Sequence, residues 1–482
     1  MILTAGAPGG TPPPPRPSDL VARWSAIEGG DLPAEAWSCL ADDGWVVGGR
    51  NRTVVGTGTA AVLPLPSGLD DEVALERAVV WLRAVDLRPH GSHGTAVPRV
   101  VAVGAFPFDR GAPAALVVPR VAYCLSDEAG GWIVEVGPQG EDAAARELDR
   151  GPDRDHERER DCERDGERDG AGERAGEREG AGGRAAEPVP GAGDVQRFRE
   201  LPPGREYADA VERALGQIAA GVVAKVVLAR AVDVDLSRPP TASTLLQRLW
   251  GDDRAFGPYS IPVEGGRMVG ASPELVVSRL GSHVTSHPLA GTVALDGTDD
   301  GTDDDAAGRL FGSEKDRAEH RFVVDAVADA LAPLCERLTV PAEPSVVRLR
   351  SDARLGTLVD GTLRPECTLP GSGGTVLRLL SLLHPTPAVG GVPRSAAVRL
   401  ITALEAVPRG HWAGVVGWVD ADGDGEWMLA IRSALLGGRR ARVYAGAGIV
   451  SGSRPDAELA ETTLKLRPVL EALAPGWSAR LP

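Results

Sequence analysis

The sequence has few cysteines and no cysteine motif. Its 482 residues include five cysteines, and no two of them stand in a C-x-x-C spacing. An odd number of thiols without metal-ligand spacing argues against a disulfide framework and against a structural zinc site. Reduced thiols are typical of a cytoplasmic protein, and we therefore expect a cytoplasmic location.

The sequence also lacks a long apolar run and an excess of basic residues. No stretch of 18 apolar residues occurs and the N-terminus has no signal pattern, so we expect neither export nor a membrane span. The net charge of -16 argues against nucleic acid and anionic membranes as partners. Hydrophobic residues still make up 43% of the chain, which is enough for a large core.

Composition divides the chain into four segments. Residues 1–19 are rich in proline and glycine, which predicts a disordered tail. Residues 141–194 consist mostly of arginine, glutamate, aspartate and glycine, and we predict a disordered insertion because so little apolar surface cannot offset the ordering entropy. Residues 20–140 and 195–482 are predicted as the N-terminal part and the core of one catalytic domain. Short strand-like runs without a strand–helix–strand repeat favour an α+β fold.

Two carboxylates and an amine stand at helical spacing near the C-terminus. Glu458, Glu461 and Lys465 occupy positions i, i+3 and i+7 of DAELAETTLK. On a helix all three lie on one face. The ordinary interpretation is a solvated acidic face with an ion pair. The alternative is a site for a hard cation such as Mg²⁺, which takes one or two protein carboxylates together with substrate oxygens and waters.

A second acidic pair, Asp316 and Glu319, stands three residues apart in SEKDRAEH. It opens a predicted core helix whose apolar stripe extends to Leu338. Acidic residues are common in a first helical turn. If this helix meets the C-terminal one, Glu319 and Glu461 would bind a metal ion, and the other two acids would support them.

Several single residues are further candidates. Lys225 begins a predicted strand, either as a surface residue or as a base with a lowered pKa. Glu274 follows a turn in GASPE and is suited to be a general acid. Gly291 in PLAGT and Gly446 in YAGAGIV allow the backbone to approach an anionic oxygen. Arg432, predicted on a strand, would clamp a carboxylate.

Two acidic stretches are predicted to be loops rather than metal sites. Asp420 begins DADGDGE, which resembles a calcium loop, but the twelfth position is Ile431, where a bidentate glutamate is required. We therefore predict a turn between two strands. The run ALDGTDDGTDDDAAG is predicted to be a flexible acidic loop.

Nine motifs in a fixed order carry a family resemblance: AKVVLAR, GASPEL, PLAGT, SEKDRAEH, LLHPTPAVGG, AGVVGW, GEWMLAIRSA, YAGAGIV and ELAETTLKL. The chain resembles the chorismate-utilising enzymes, and most closely the isochorismate synthases of menaquinone and siderophore pathways. The similarity extends from about Tyr207 to Leu473, while residues 20–140 match only loosely. It implies two packed antiparallel β-sheets with helices outside and the active site in the cleft between.

The resemblance implies an Mg²⁺-dependent conversion of chorismate to isochorismate. Lys225 would activate water for attack on ring carbon C2, and Glu274 would protonate the departing C4 hydroxyl. Glu319 and Glu461 would bind Mg²⁺, with Asp316 and Glu458 as outer support. The implied substrate-binding residues are Gly291, Thr292, Ala388, Trp412, Arg432, Gly446 and Lys465.

Differences within the family favour water as the nucleophile and isochorismate as the product. Anthranilate synthases resemble this chain but carry a glutamine at the position of Lys225. Aminodeoxychorismate synthases carry a nucleophilic lysine at the position of Ala290. Ala388 and Trp412 replace a threonine and a tyrosine that salicylate synthases share. A salicylate synthase and a non-catalytic homologue are the alternatives. Arg348 takes the place of a usual histidine that touches the ring carboxylate.

The resemblance implies chorismate as the small-molecule substrate and no glutamine amidotransferase subunit. We expect a monomer or a homodimer. The sequence does not distinguish a menaquinone pathway from a siderophore or secondary-metabolite pathway.

Overall fold

The computed structural model describes residues 13–27, 44–89, 98–126, 130–139, 194–250, 257–295, 303–349, 352–368 and 374–476. The predicted insertion lies outside these residues except for Asp194, as do residues 1–12 of the predicted tail. The described residues all belong to one compact unit of the chain, which comprises Met1–Gln139 and Ala192–Pro482.

Antiparallel strands dominate the described residues, and helices are inserted between them. The strands are β1 (Leu20–Ile27), β2 (Trp45–Gly48), β3 (Arg52–Leu65), β4 (Asp86–Pro89), β5 (Val101–Phe106), β6 (Ala114–Ser126), β7 (Gly130–Pro138), β8 (Val195–Leu201), β9 (Lys225–Leu236), β10 (Gly257–Val263), β11 (Gly266–Ser272), β12 (Leu275–Leu280), β13 (His283–His287), β14 (Leu289–Ala294), β15 (Cys335–Thr339), β16 (Ser345–Arg348), β17 (Asp352–Gly356), β18 (Val359–Leu363), β19 (Gly391–Val392), β20 (Val415–Asp420), β21 (Gly425–Leu429), β22 (Ser433–Gly437) and β23 (Arg440–Val450). The helices are α1 (Glu72–Arg83), α2 (Gly204–Ala219), α3 (Ala242–Trp250), α4 (Asp303–Gly312), α5 (Glu314–Leu331), α6 (Pro365–Thr368), α7 (Val376–Leu383), α8 (Arg394–Leu404) and α9 (Pro455–Leu473).

The sheet confirms the α+β class and shows how its two layers are connected. Twenty strands form one sheet. It has two series of neighbouring strands, called arms here, and the long paired strands β3 and β6 join them. One arm runs β5–β20–β21–β12–β13–β18–β15, and the other runs β2–β10–β11–β22–β23–β9–β8. The two predicted sheets therefore correspond to the two arms of one continuous sheet. Strands β14, β17 and β16 form a separate three-stranded sheet.

The main core draws side chains from both arms. Phe106 of β5 and Trp427 of β21 lie with ring centroids 5.2 Å apart, and they share one apolar cluster with Val226 of β9 and Ala447 of β23. Helices α2 and α9 pack on β23, on the outer side of the second arm. Among the described residues, every helix is too short or too polar to span a membrane.

Helix α5 is shorter than its apolar stripe predicts. The α-helix ends at Leu331 and passes into a 3-10 turn that contains Pro333, while Leu338 lies in β15. Proline lacks an N–H group and clashes with the preceding helical turn, so it ends the helix despite the continuing apolar period.

The two acidic stretches have different outcomes. DADGDGE forms the predicted turn between β20 and β21. For the second stretch, ALDGTDDGTDDDAAG, the prediction of a loop is wrong at its C-terminal end, because these residues begin helix α4. Ala306 and Leu310 are one helical turn apart, and both are buried against Ala353 and Leu355 of β17, which gives the helix an apolar face.

Candidate active site

Lys225 is buried at the first position of β9, which favours the base over the surface residue. Its Nζ lies 3.2 Å from Glu319 Oε1 on α5. Burial lowers the pKa of Lys225, and the charge of Glu319 opposes that shift. Strand β23 runs beside this pair, and a Cβ at Gly448 would stand only 2.0 Å from Glu319 Oε1. The glycine therefore makes room for the ion pair.

Glu274 is buried between β11 and β12, at the predicted turn. Burial raises the pKa of this carboxyl to about 7, and the nearby guanidinium of Arg354 is the strongest influence in the opposite direction. Lys225 and Lys465 also act on it, and the Leu289 N–H donates a hydrogen bond to it. Glu274 is thus a carboxyl that holds its proton up to neutral pH, in the same site as Lys225.

The two acidic helices meet, which was the condition for a shared carboxylate site. On α9, Lys465 Nζ lies 2.5 Å from Glu461 Oε1. Lys315 on α5 bridges the helices, with Nζ 2.9 Å from Glu458 Oε1 and 3.7 Å from Glu461 Oε2. Burial acts to raise the pKa of Glu461, but Lys465 and Lys315 outweigh burial and hold it below its ordinary value. Asp316 is close enough to Glu461 and Glu319 to feel their charges.

Lys315 was not predicted, although the sequence carries a signal for it. The chain contains only three lysines, Lys225, Lys315 and Lys465, among 52 basic residues of the two types lysine and arginine. All three lie on the same carboxylate cluster, because they contact Glu319, Glu458 and Glu461. Every other basic residue of these two types is arginine. Lysine differs from arginine in its compact ammonium group, so its restriction to this cluster is the signal that the sequence carries.

The carboxylate cluster fits a magnesium ion. Glu319 Oε2 is buried and has no hydrogen-bond partner among the described residues. The described residues contain no group of three Asp, Glu, His or Cys side chains placed to hold a metal without other ligands. Mg²⁺ does not need such a group, since one or two carboxylates with substrate oxygens and waters complete its coordination. Glu319 and Glu461 supply that number.

Two arginines share one buried carboxylate beside this cluster. Arg432 Nη2 lies 2.7 Å from Asp352 Oδ2, and Arg354 Nε lies 2.8 Å from Asp352 Oδ1. The strand predicted for Arg432 is wrong, because this residue adopts a φ of 52° between β21 and β22. The resemblance implied that Arg348 contacts the ring carboxylate in the pocket. This prediction is also wrong, because Arg348 is exposed at the end of β16. Arg354 is the arginine that enters the site.

Glycines bring the backbone close to the cluster at two predicted positions. Gly291 has a φ of 72°, and a Cβ there would stand 3.0 Å from Asp316 Cβ. Most of PLAGT belongs to strand β14, which pairs with β17 through an irregular register. The carbonyl oxygen of Gly446 accepts a hydrogen bond from Lys465 Nζ at 3.0 Å. Thr292 follows Gly291 on β14 and is half-buried.

The Trp412 side chain packs between Tyr444 and Gly446. Its ring stacks on Tyr444 with centroids 5.4 Å apart and an interplanar angle of 17°. A Cβ at Gly446 would stand 3.1 Å from the indole. The buried guanidinium of Arg409 lies 5.4 Å from the Trp412 ring and donates to the carbonyl oxygen of Val389 at 2.6 Å.

Ala388 precedes Val389 in the chain and is half-buried against the main core. The structure therefore places Ala388 one residue from the carbonyl that Arg409 binds. Its contact with a substrate stays a prediction.

Comparisons with known proteins agree with this arrangement. Isochorismate synthase DhbC of Bacillus subtilis (strain 168) is 38% identical over 289 residues, which cover 58% of this chain and 71% of the relative. The MenF protein of Mycobacterium tuberculosis (strain ATCC 25618 / H37Rv) is 45% identical over 285 residues, which cover 57% of this chain and 74% of that protein.

A solved structure has the same fold. MenF, the menaquinone-specific isochorismate synthase from Escherichia coli, superimposes with a TM-score of 0.70 at 22% identity, and the match covers 94% of each chain. The family model described as chorismate binding enzyme matches residues 183–474, which include every residue of the site. The chain therefore belongs to the chorismate binding enzyme family.

Proposed function

We propose that this protein is an isochorismate synthase, an isomerase that converts chorismate to isochorismate. One observation carries the proposal: a buried amine and a buried carboxyl lie in one site with their pKa values shifted toward each other. Burial lowers the pKa of Lys225 and raises that of Glu274 to about 7. Both shifts favour the uncharged forms, an amine that can accept a proton and a carboxyl that can give one. The names of the relatives support the same activity.

The proposed reaction exchanges one hydroxyl group for another. Lys225 Nζ removes a proton from a water molecule as its oxygen bonds to ring carbon C2. The ring double bonds shift, and the bond between C4 and its hydroxyl oxygen breaks. Glu274 donates its proton to this oxygen, which leaves as water. One water enters and one leaves, so substrate and product are isomers.

The remaining site residues bind and orient the substrate in this proposal. Glu319 and Glu461 would hold Mg²⁺, whose charge would bind the C1 carboxylate. Asp316 and Glu458 would support those two carboxylates through waters, and Lys315 and Lys465 offset the charge of Glu461. Arg432 and the Gly446 backbone hold the enolpyruvyl carboxylate. The other lining residues of the proposed pocket are Gly291, Thr292, Ala388 and Trp412.

The proposal also covers the location of the enzyme, its subunits and its oligomeric state. We propose that the enzyme works in the cytoplasm, that it acts without a glutamine amidotransferase subunit, and that it is a monomer or a homodimer. Free water as the nucleophile supports the second feature, because no ammonia has to be delivered.

The test is product analysis with two active-site variants. Purified protein is incubated with chorismate and Mg²⁺, and the products are separated by chromatography. The wild type should form isochorismate, while Lys225→Ala and Glu274→Gln should each lower kcat by a factor of about 10²–10⁴, as loss of a general base or acid does. An unchanged rate in either variant would refute its assigned role. Salicylate and pyruvate in equal amounts would identify a salicylate synthase instead.

A further inference from the structure

We infer that Arg354 is a second substrate-carboxylate-binding residue, which acts beside Arg432 on the enolpyruvyl carboxylate. This inference rests on the proposed function, because it takes chorismate as the ligand. The contact differs from the one that the resemblance implied for Arg348, which was with the ring carboxylate.

The strand β17 directs Arg354 into the site. Successive side chains of a strand point to opposite faces. Ala353 and Leu355 point to the apolar cluster with α4, so Asp352 and Arg354 point to the other face, where Asp352 contacts Arg432. The Arg354 side chain is only 6% exposed. Its surroundings are therefore protein rather than bulk water.

Arg354 has a donor that the protein leaves unused. Its Nε is bonded to Asp352, but its Nη2 is buried and has no hydrogen-bond partner among the described residues. A buried guanidinium N–H without an acceptor is costly, and native proteins rarely keep one without a reason. A ligand oxygen would satisfy it.

The charges around Arg354 indicate where on the substrate it acts. Its guanidinium lies near enough to Glu274 to lower the pKa of that carboxyl, and Glu274 is proposed to reach C4. The enolpyruvyl group is attached to C3, the neighbouring carbon. Asp352 anchors Arg354 and Arg432 with its two oxygens, which holds two guanidinium groups ready for one planar carboxylate.

The experiment measures ligand binding by calorimetry in the whole 482-residue chain carrying Lys225→Ala, which should slow turnover by a factor of about 10²–10⁴. Adding Arg354→Gln should weaken the Kd for chorismate about 10–100-fold, the loss expected when a hydrogen bond to a charged group is removed. Arg348→Gln is the matched control, because it makes the same change on the neighbouring strand at an exposed position. It should leave the Kd unchanged.

A second ligand separates binding from a structural role. Chorismate methylated on its enolpyruvyl carboxylate lacks the charge that Arg354 is inferred to bind, so Arg354→Gln should cost it much less affinity. An equal loss for both ligands, or no loss for chorismate, would overturn the inference. If Arg354→Gln does not fold, Arg354→Lys keeps the charge without the planar fork, and the same comparison decides. A Lys225→Ala chain that binds no chorismate would overturn the proposed function as well.

Discussion

Gly448→Ala should inactivate the site while leaving the fold intact. The added Cβ would stand 2.0 Å from Glu319 Oε1 and 3.1 Å from Lys225 Cε. The backbone of β23 cannot retreat easily, because it is paired residue by residue with β9 at this point. Glu319 must therefore give way, and Oε1 has to move by about 1.4 Å to reach an ordinary contact distance. That displacement breaks its 3.2 Å contact with Lys225.

The expected magnitude follows from the size of this displacement. A misplacement of about 1 Å at a reacting group can cost a factor of about 10² in rate, so kcat for chorismate should fall about 100-fold. Gly216→Ala is the matched control, because a Cβ there meets nothing within 4 Å on helix α2. It should keep full activity. A Gly448→Ala variant with the wild-type kcat would refute the reasoning.

Three further predictions concern the charged groups of the site. Glu319→Gln or Glu461→Gln should abolish turnover while the melting temperature changes little, and full activity in the presence of a chelator would contradict the metal assignment. Burial raises the pKa of Glu274 from 4.5 to about 7, so the folded chain holds a proton that the unfolded chain releases in this range. Glu274 should therefore contribute a fall of about 3 kcal/mol in the free energy of unfolding from pH 4.5 to 7, and in urea denaturation the fall should be smaller by about this amount in Glu274→Gln than in the wild type. Lys315→Met leaves two carboxylates without their bridge, so Mg²⁺ affinity measured by calorimetry should fall about 10–100-fold; an unchanged affinity would show that Lys315 does not support the metal site.

Helical spacing predicted the carboxylate cluster because its members are local in sequence. Glu458, Glu461 and Lys465 lie on one helical face at whatever angle α9 packs. The same holds for Asp316 and Glu319 on α5. The meeting of these two helices was conditional on packing, and the structure confirms it through Lys315.

The arginines were harder to place because their position depends on long-range register. Arg348 and Arg354 are only six residues apart, and each stands on a short strand of the small sheet. Which of them enters the pocket depends on how β17 pairs with β14 and β16, and a shift of one residue turns every side chain to the other face. Local sequence contains little information on that register.

Backbone conformation explains the error at Arg432. The sequence GEWMLAIRSA has the apolar character of a strand, but β21 ends at Leu429 and Arg432 takes a left-handed conformation. Arginine is seldom found there, and local propensity favours the strand. Contacts from elsewhere in the fold hold the segment, since Tyr259 Oη donates to the carbonyl oxygen of Ile431 at 2.8 Å.

Oxygen labelling is the most direct test of the central claim that water, activated by Lys225, attacks C2. Chorismate is converted in water enriched in ¹⁸O with Mg²⁺ present, and the product is analysed by mass spectrometry and NMR. The account predicts isochorismate with one ¹⁸O atom in its C2 hydroxyl and little labelled product from Lys225→Ala. Isochorismate without the label, or equal labelling rates in the wild type and Lys225→Ala, would contradict it.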